Sequence, residues 1–314
     1  MKHERTALSR RELLAGAGWL TLAGVAGVPR RLLAADLATL DVAYAGSMGS
    51  LMEGSLKTAV ARTLKLDMHG RAQGSSALAQ LIVGGSISPD VFIPITPGPM
   101  LTVLRAGKAE VAHPFAHTEM VIAYSPKSRF AASFDAAAKG KGNWWEVLQE
   151  PGLRFGRTDP VIDPQGRNII FTMMLAARLY KQANLVEKVL GETINKEQIF
   201  TEPTVQARLQ SGELDAASAY KIQPGPFNLP YVVLPAEINL SGQNVHAANP
   251  DLSLSVGGKT FVPEPLIYYA AALKGARNAE GAAAFIQWLQ GGEAQSIFRH
   301  LDYDPAGDAS ELHA

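Results

Sequence analysis

Short apolar runs with the composition of β-strands alternate with stretches of helically spaced apolar residues from residue 37 onward. Glycine, serine and proline separate the runs, so each strand candidate leads through a short loop into a helix candidate. This alternation predicts parallel β-α units with helices on both faces of a sheet, and therefore an α/β fold. The first three strand candidates cover residues 37–45, 66–73 and 90–95.

The alternating pattern is long enough for two lobes. The chain has 314 residues, and a domain usually takes about 150. The composition shows no clean linker, so we expect two lobes joined by crossing strands, each a mostly parallel sheet flanked by helices, with a ligand cleft between them. The expected segments are 1–35 (a leader), 36–115 (first part of lobe 1), 116–265 (lobe 2) and 266–314 (a crossing strand and the return to lobe 1).

Residues 1–35 have the composition of a cleaved export signal. The pair Arg10-Arg11 precedes a weakly apolar run, Ala15 to Val28, which is shorter than the roughly 20 residues of a membrane-spanning helix. Paired arginines before such a run indicate a twin-arginine signal peptide, with cleavage expected near Ala34-Ala35. The alternative, an amphipathic helix, is disfavoured by the four glycines in the apolar run.

Cysteine is absent from the sequence. Its absence excludes disulfides, zinc–thiolate sites and a lipid-anchored cysteine. No later run of roughly 18 apolar residues predicts a membrane span. We therefore expect a protein that is free in the periplasm, with no lipid anchor.

The chain carries 29 basic and 29 acidic residues. This balance disfavours nucleic-acid binding, which usually needs a basic excess. The leader holds six basic and two acidic residues, so the rest of the chain has 23 basic and 27 acidic residues and a net charge of −4. An anion bound by the mature chain would have to be held by local donors and dipoles rather than by overall attraction.

Three loops follow strand candidates and lead into helix starts, which is where open α/β sheets bind ligands. A serine hydroxyl beside the unpaired N–H groups and partial positive charge of a first helical turn can hold an anion without Lys or Arg. The alternative is that Ser47 and Ser75 are ordinary N-caps of their helices. The loops are Ala45-Gly46-Ser47, Gly74-Ser75-Ser76 and Asp163-Pro164-Gln165-Gly166.

Enzyme motifs such as G-x-S-x-G, the P-loop and H-E-x-x-H are missing from the sequence. Asp159 and Asp163 could form an acid–base pair, but the proline after each favours a turn. His113 and His117 are four residues apart, but the intervening Pro114 disfavours a helical metal-binding pair. We expect a non-enzymatic protein without a metal or a cofactor.

Four stretches form a recognisable set in their order and spacing. They are 45–48 (AGSM), 74–79 (GSSALA) with 89–93 (PDVFI), 155–166 (FGRTDPVIDPQG), and 211–221 (SGELDAASAYK) with 234–240 (LPAEINL). Together they resemble the molybdate/tungstate-binding proteins of ABC importers, within the two-lobed periplasmic solute-binding superfamily. The resemblance covers roughly residues 38–303 and implies a periplasmic-binding-protein fold of type II.

The resemblance implies roles by position. Ser47 and Ser75 match serines that donate to an oxyanion oxygen, and Tyr220 matches a tyrosine whose hydroxyl reaches the ligand. Asp163 stands where bacterial molybdate binders use a backbone N–H and where the archaeal tungstate type uses an aspartate that contacts the ligand. Further candidates for the site are Gly46, Ser76 and His117.

Two positions depart from the family pattern. Ala219 stands where the archaeal type has a glutamate that completes six-fold coordination, so one of two carboxylates is missing. An unpaired Asp163 beside a dianion would be repulsive, so either it points away or the ligand is not a simple tetrahedral dianion. His117 lies where relatives commonly begin a strand with Asn-Glu, and it could add a donor near the hinge.

We therefore expect an exported, monomeric protein that captures an oxyanion such as molybdate or tungstate and delivers it to an ABC permease in the inner membrane. One alternative is another small anion, such as sulfate, a phosphonate or an organic acid. A second alternative is an exported enzyme with Asp163 or His117 as its acid–base group. No nucleic-acid partner is expected.

Overall fold

The computed structural model describes residues 37–314, so the predicted signal peptide lies outside the described residues. The strands are β1 (Ala38–Ala45), β2 (Leu66–Gln73), β3 (Val91–Ile93), β4 (Val111–His117), β5 (Met120–Tyr124), β6 (Phe155–Gly156), β7 (Ala216–Tyr220), β8 (Tyr231–Val233), β9 (Leu254–Val256), β10 (Lys259–Phe261), β11 (Ile267–Ala272), β12 (Asp304–Pro305) and β13 (Leu312–His313). The helices are α1 (Gly49–Leu51), which continues through a π-helical turn (Met52–Leu56) into α2 (Lys57–Thr63), then α3 (Ser75–Val83), α4 (Pro97–Arg105), α5 (Ala131–Ala138), α6 (Trp144–Val147), α7 (Pro164–Leu179), α8 (Leu185–Leu190), α9 (Glu202–Ser211), α10 (Val245–Ala248), α11 (Ala279–Leu289) and α12 (Gly292–His300). Short 3-10 turns cover Gly46–Met48 and Gly225–Phe227.

The larger sheet has the strand order β12-β4-β11-β3-β1-β2, with β13 also paired to β4. β1 pairs in parallel with β2 along its whole length and with β3. β11 lies between β3 and β4 and runs antiparallel to both. The chain therefore leaves this sheet after β4 and returns to its middle with β11.

The second sheet is formed by residues that lie between β4 and β11 in the sequence, and its strand order is β6-β7-β5-β8. β6 and β7 are parallel, whereas β5 is antiparallel to β7 and to β8. β9 and β10 form a separate antiparallel hairpin. Two sheets thus alternate with helices along one chain, which confirms the predicted α/β class.

The prediction that each sheet is mostly parallel is wrong, because both sheets mix the two directions. Burial explains the error. β5, β7 and β11 are covered on both faces and read as nearly continuous apolar runs. Such runs are typical of parallel strands, whereas antiparallel strands with one exposed face alternate apolar and polar residues. Apolar composition therefore did not reveal strand direction.

Helices cover both faces of the first sheet. Neighbouring side chains of a strand point to opposite faces, and Val42 and Ala43 accordingly lie in two different buried clusters. Ala43 packs in the cluster that includes Leu78 of α3 and Val103 of α4, whereas Val42 belongs to the cluster that includes Phe285 of α11. Within residues 37–314, no helix has the length and apolar character needed to cross a bilayer.

Candidate functional site

A small cavity of about 40 Å³ lies where loops of the first sheet face the elements of the second. The loops after β1 and β2 form one side of it, and the starts of α7 and α9 with the end of β7 form the other. The structure therefore brings together residues that are more than 100 positions apart in the sequence. The lining residues are Ala45, Gly46, Ser47, Gly74, Ser75, Ile95, Asp163, Pro164, Glu202 and Tyr220.

The two loop serines are not N-caps, so the alternative interpretation of them is wrong. Gly74 occupies the cap position of α3, and neither this helix nor the turn at Gly46–Met48 has a side-chain cap. The Ser75 hydroxyl instead accepts a hydrogen bond from the Ile95 N–H at 3.3 Å. Because its oxygen is an acceptor there, the hydroxyl hydrogen of this buried serine remains able to donate into the cavity.

Ser47 is positioned by a buried aromatic side chain of the crossing strand. Its Oγ lies 3.3 Å from the hydroxyl oxygen of Tyr268 in β11, and either group can be the donor. Burial raises the pKa of Tyr268, so this phenol stays protonated. β11 thus contributes to the site through Ser47, although β11 does not line the cavity itself.

Tyr220 lies at the end of β7 and is almost completely buried. Its hydroxyl oxygen accepts a hydrogen bond from Asn168 Nδ2 at 3.0 Å. Burial raises the pKa of Tyr220 well above its usual value, so the hydroxyl keeps its hydrogen. Tyr220 is therefore a second donor whose oxygen is already occupied by a protein N–H group.

Asp163 is the N-cap of α7, and its Oδ1 accepts a hydrogen bond from the Gln165 N–H at 2.9 Å. This cap and Pro164 at the first helical position begin α7 at the cavity itself. Burial raises the pKa of Asp163, and the bond from Gln165 opposes that shift. Asp159 forms a local turn, with Oδ1 accepting from the Val161 N–H at 2.8 Å, so the turn-former interpretation is confirmed for Asp159, whereas Asp163 caps a helix.

Glu202 is a cavity residue that the sequence did not reveal. It begins α9, and its Oε1 accepts a hydrogen bond from Gln223 Nε2 at 2.6 Å. Burial, together with the nearby charge of Asp163, raises the pKa of Glu202 to about 7. An acidic residue in a first helical turn is common because of the helix dipole, so its position alone did not indicate a binding role.

Two of the candidate residues lie outside this cavity. Ser76 lines a neighbouring cavity of about 480 Å³, and its Oγ is 3.5 Å from Arg167 Nη2. His117 ends β4, where its Nδ1 is 2.6 Å from the carbonyl oxygen of Pro305 and its Nε2 is 3.9 Å from Asp304. The idea of His117 as a donor near the ligand therefore has no support from its surroundings, since its ring contacts β12 instead.

The larger cavity is lined by α3, α4, α7 and the β9–β10 hairpin. Arg167 is buried there, with its guanidinium 4.2 Å from the ring centre of Phe261 and its Nη1 donating to the carbonyl oxygen of Pro160 at 2.9 Å. Its charge favours the ionised form of Asp163. Among residues 37–314, His, Asp and Glu side chains form no group of three that could hold a metal ion.

Two α/β lobes with a small polar cavity between their strand-end loops define a two-lobed periplasmic-binding-protein fold. The chain belongs to the bacterial extracellular solute-binding protein family, which it matches over residues 40–301. Molybdate/tungstate-binding proteins of Pyrococcus abyssi and Thermococcus kodakarensis are 33% and 30% identical to it, in matches that cover 60% of this chain and 61% and 59% of the respective relative. The chain spans about three-fifths of the length of the first curated relatives it matches.

The periplasmic molybdate-binding protein of Azotobacter vinelandii has a similar structure, with a TM-score of 0.56. The match covers 84% of this chain and 98% of that protein, at 18% sequence identity. A likeness at this level of identity concerns the fold, and it confirms the predicted two-lobed architecture.

Proposed function

We propose that this protein captures a small oxyanion of the molybdate or tungstate type for import. The observation that carries this proposal is the convergence of hydroxyl donors in the 40 Å³ cavity. Ser75 and Tyr220 each accept a hydrogen bond from a protein N–H group, which leaves the hydroxyl hydrogens for a ligand acceptor. Such donors replace part of the water shell of an anion as it enters a buried site.

Cavity size supports a compact ligand. A buried water needs roughly 10–15 Å³ of such space, so about 40 Å³ has room for roughly three water-sized groups. A tetrahedral oxyanion has this scale, whereas a sugar or a peptide is much larger. The first turn of α3 adds N–H groups and a partial positive charge beside Ser75.

The choice of molybdate or tungstate over other oxyanions rests on the names of the two archaeal relatives. Sulfate, phosphonates and organic acids remain the alternative ligands, because the same donors would serve them. The enzyme alternative keeps only one of its two candidate groups in the cavity, since Asp163 lines it whereas His117 contacts β12. We propose that the protein acts by binding and has no catalytic activity.

Family membership and the predicted twin-arginine leader support export. We propose that the mature, monomeric protein is free in the periplasm and passes its ligand to an ABC permease of the inner membrane. Closure of two lobes around a ligand is a hinge motion that such a permease can recognise.

A thermal-shift screen with molybdate, tungstate, sulfate, phosphate, thiosulfate and methylphosphonate tests the proposal. Binding to the folded state raises the unfolding temperature by mass action, so molybdate or tungstate should give the largest shift. Ser47→Ala and Ser75→Ala should reduce this shift. Ser76→Ala is the matched control, because Ser76 lines the neighbouring cavity. No shift with any oxyanion at millimolar concentration would refute the proposed function.

A further inference from the structure

Two carboxylates, Asp163 and Glu202, line a cavity proposed to hold an anion. Within the described part of the chain, neither forms an ion pair with Lys, Arg or His at 4.0 Å or less. Two ionised carboxylates and a dianion in one small buried space would repel each other strongly. A proton on one of the carboxylates removes the repulsion that this carboxylate would exert, and the charge of Arg167 acts on Asp163.

Hydrogen bonds distinguish the two carboxylates. Asp163 accepts the Gln165 backbone N–H at the start of α7, an arrangement that favours the ionised form. Glu202 accepts from a neutral side-chain amide and has no backbone partner among the described hydrogen bonds. The proton therefore belongs on Glu202.

The surrounding amides also determine which oxygen of Glu202 carries that proton. Gln223 Oε1 accepts the Tyr220 N–H at 2.7 Å, so its Nε2 is the group that faces Glu202. This Nε2 donates to Glu202 Oε1 at 2.6 Å. The other oxygen, Oε2, faces the first-sheet loop, since a Cβ placed on Gly46 would lie 3.8 Å from it.

We propose that Glu202 takes part in the oxyanion complex as a neutral carboxylic acid, with its Oε2–H donating to the bound anion, so that capture takes up one proton from solvent. This inference rests on the proposed function of the cavity. No other bond changes: the proton is taken from water when the anion enters and returns to water when the anion leaves. Glu202 thereby replaces a repulsive charge with a donor and links affinity to pH.

The titratable groups that face Glu202 are Asp163 at the start of α7, Tyr220 at the end of β7, Tyr268 in β11 and Tyr303 before β12. Burial raises the pKa of all three tyrosines, so they remain neutral donors over the working range. The charge that acts on Glu202 is that of Asp163, and it favours the protonated form.

The ionisation of Glu202 in the free protein sets the size of the expected proton uptake. With a pKa of about 7, Glu202 is about nine-tenths ionised at pH 8. Anion binding at pH 8 should therefore take up about 0.9 proton. The dissociation constant should rise about tenfold for each pH unit above 7 and level off below it.

Isothermal titration calorimetry of molybdate binding to the mature chain tests these values. Titrations at pH 6.5, 7.5 and 8.5, each in two buffers of different ionisation enthalpy, give the dissociation constant and the number of protons taken up. Molybdate remains a dianion throughout this range, so its own titration does not contribute. The variants are Glu202→Gln, Glu202→Ala, and Glu197→Gln as the control, since Glu197 is an exposed carboxyl of the same lobe.

In Glu202→Gln, the amide can accept from Gln223 and donate toward the anion. This variant should take up no proton at this site and bind more tightly than the wild type at pH 8.5. Glu202→Ala loses the donor and should bind roughly tenfold or more weakly than the wild type at pH 6.5. Glu197→Gln should behave like the wild type at every pH.

The wild-type measurements alone can overturn the proposal, whatever the folding of the variants. Molybdate binding with a constant affinity and no proton uptake between pH 6.5 and 8.5 would refute the role of Glu202 and leave the proposed function intact. No binding of any oxyanion at any of these pH values would instead refute the proposed function, and this inference with it. Proton uptake that persists in Glu202→Gln would assign the proton to a group other than Glu202 and also refute the inference.

Discussion

Replacing Glu202 with glutamine should stabilise the ligand-free protein at high pH. In the unfolded chain this carboxyl has a pKa near 4.5, and in the folded protein burial raises it to about 7. Between these values the folded state binds the proton more strongly, so the free energy of unfolding falls as pH rises from 4.5 to 7. At about 1.4 kcal/mol for each pH unit, the total loss is about 3 kcal/mol. Glu202→Gln removes this loss because its side chain does not ionise.

Urea unfolding of the ligand-free wild type and variant, followed by tryptophan fluorescence at pH 5, 6, 7 and 8, measures the effect. The difference in unfolding free energy should be below about 1 kcal/mol at pH 5 and should approach about 3 kcal/mol in favour of the variant at pH 8. Glu197→Gln, an exposed substitution, serves as the control and should show no such trend. A constant difference between wild type and Glu202→Gln from pH 5 to pH 8 would show that Glu202 is not the partly buried, titrating carboxyl that its surroundings imply.

Three further predictions concern other residues. Ser75→Ala should weaken oxyanion binding roughly ten- to hundredfold, as measured by calorimetry, because a hydrogen bond to a charged group contributes about 1.5–3 kcal/mol. Unchanged affinity would show that Ser75 does not bind the anion. Gly166→Ala should destabilise the fold by about 1–3 kcal/mol and reduce anion binding, since the new Cβ would overlap the backbone oxygen of Thr158 and displace the loop before α7. A variant with the unfolding free energy and the anion affinity of the wild type would contradict this. Asp215→Ala should lower the free energy of unfolding by about 3 kcal/mol at neutral pH, because the carboxylate accepts hydrogen bonds from the backbone and guanidinium of Arg154. These bonds hold the pKa of Asp215 below its usual value, so the loss of stability should diminish as pH falls through that lowered pKa. A loss of the same size in strong acid would argue against the ionic contribution.

Local sequence signals predicted much of the fold. β2 has the predicted bounds, 66–73, because apolar periodicity and glycine breaks are local properties. α7 begins at Pro164, within the predicted loop 163–166, because Asp163 caps the helix and Pro164 occupies its first position. Strand direction was predicted wrongly because burial on both faces erased the alternation that separates antiparallel from parallel strands.

The candidate site was predictable where its residues follow strands. Ser47, Ser75, Asp163 and Tyr220 all line the cavity that tertiary structure forms. Ser76 and His117 were predicted from their positions beside strands as well. In the structure, Ser76 points into the neighbouring cavity and His117 contacts β12, because successive residues of a helix or strand point in different directions. The assignment of a ligand-binding role to any of these residues remains a prediction.

The sequence by itself determined the α/β class, the placement of the strand-end loops and the presence of hydroxyl donors in two of them, since each depends on residues that are close together in the chain. Only the tertiary structure decided that Glu202 lies beside Asp163 in the cavity, and that Gln223 orients its carboxyl group. Burial and the proximity of a second charge shift the pKa of Glu202. Both depend on contacts between distant parts of the chain, which local patterns do not encode.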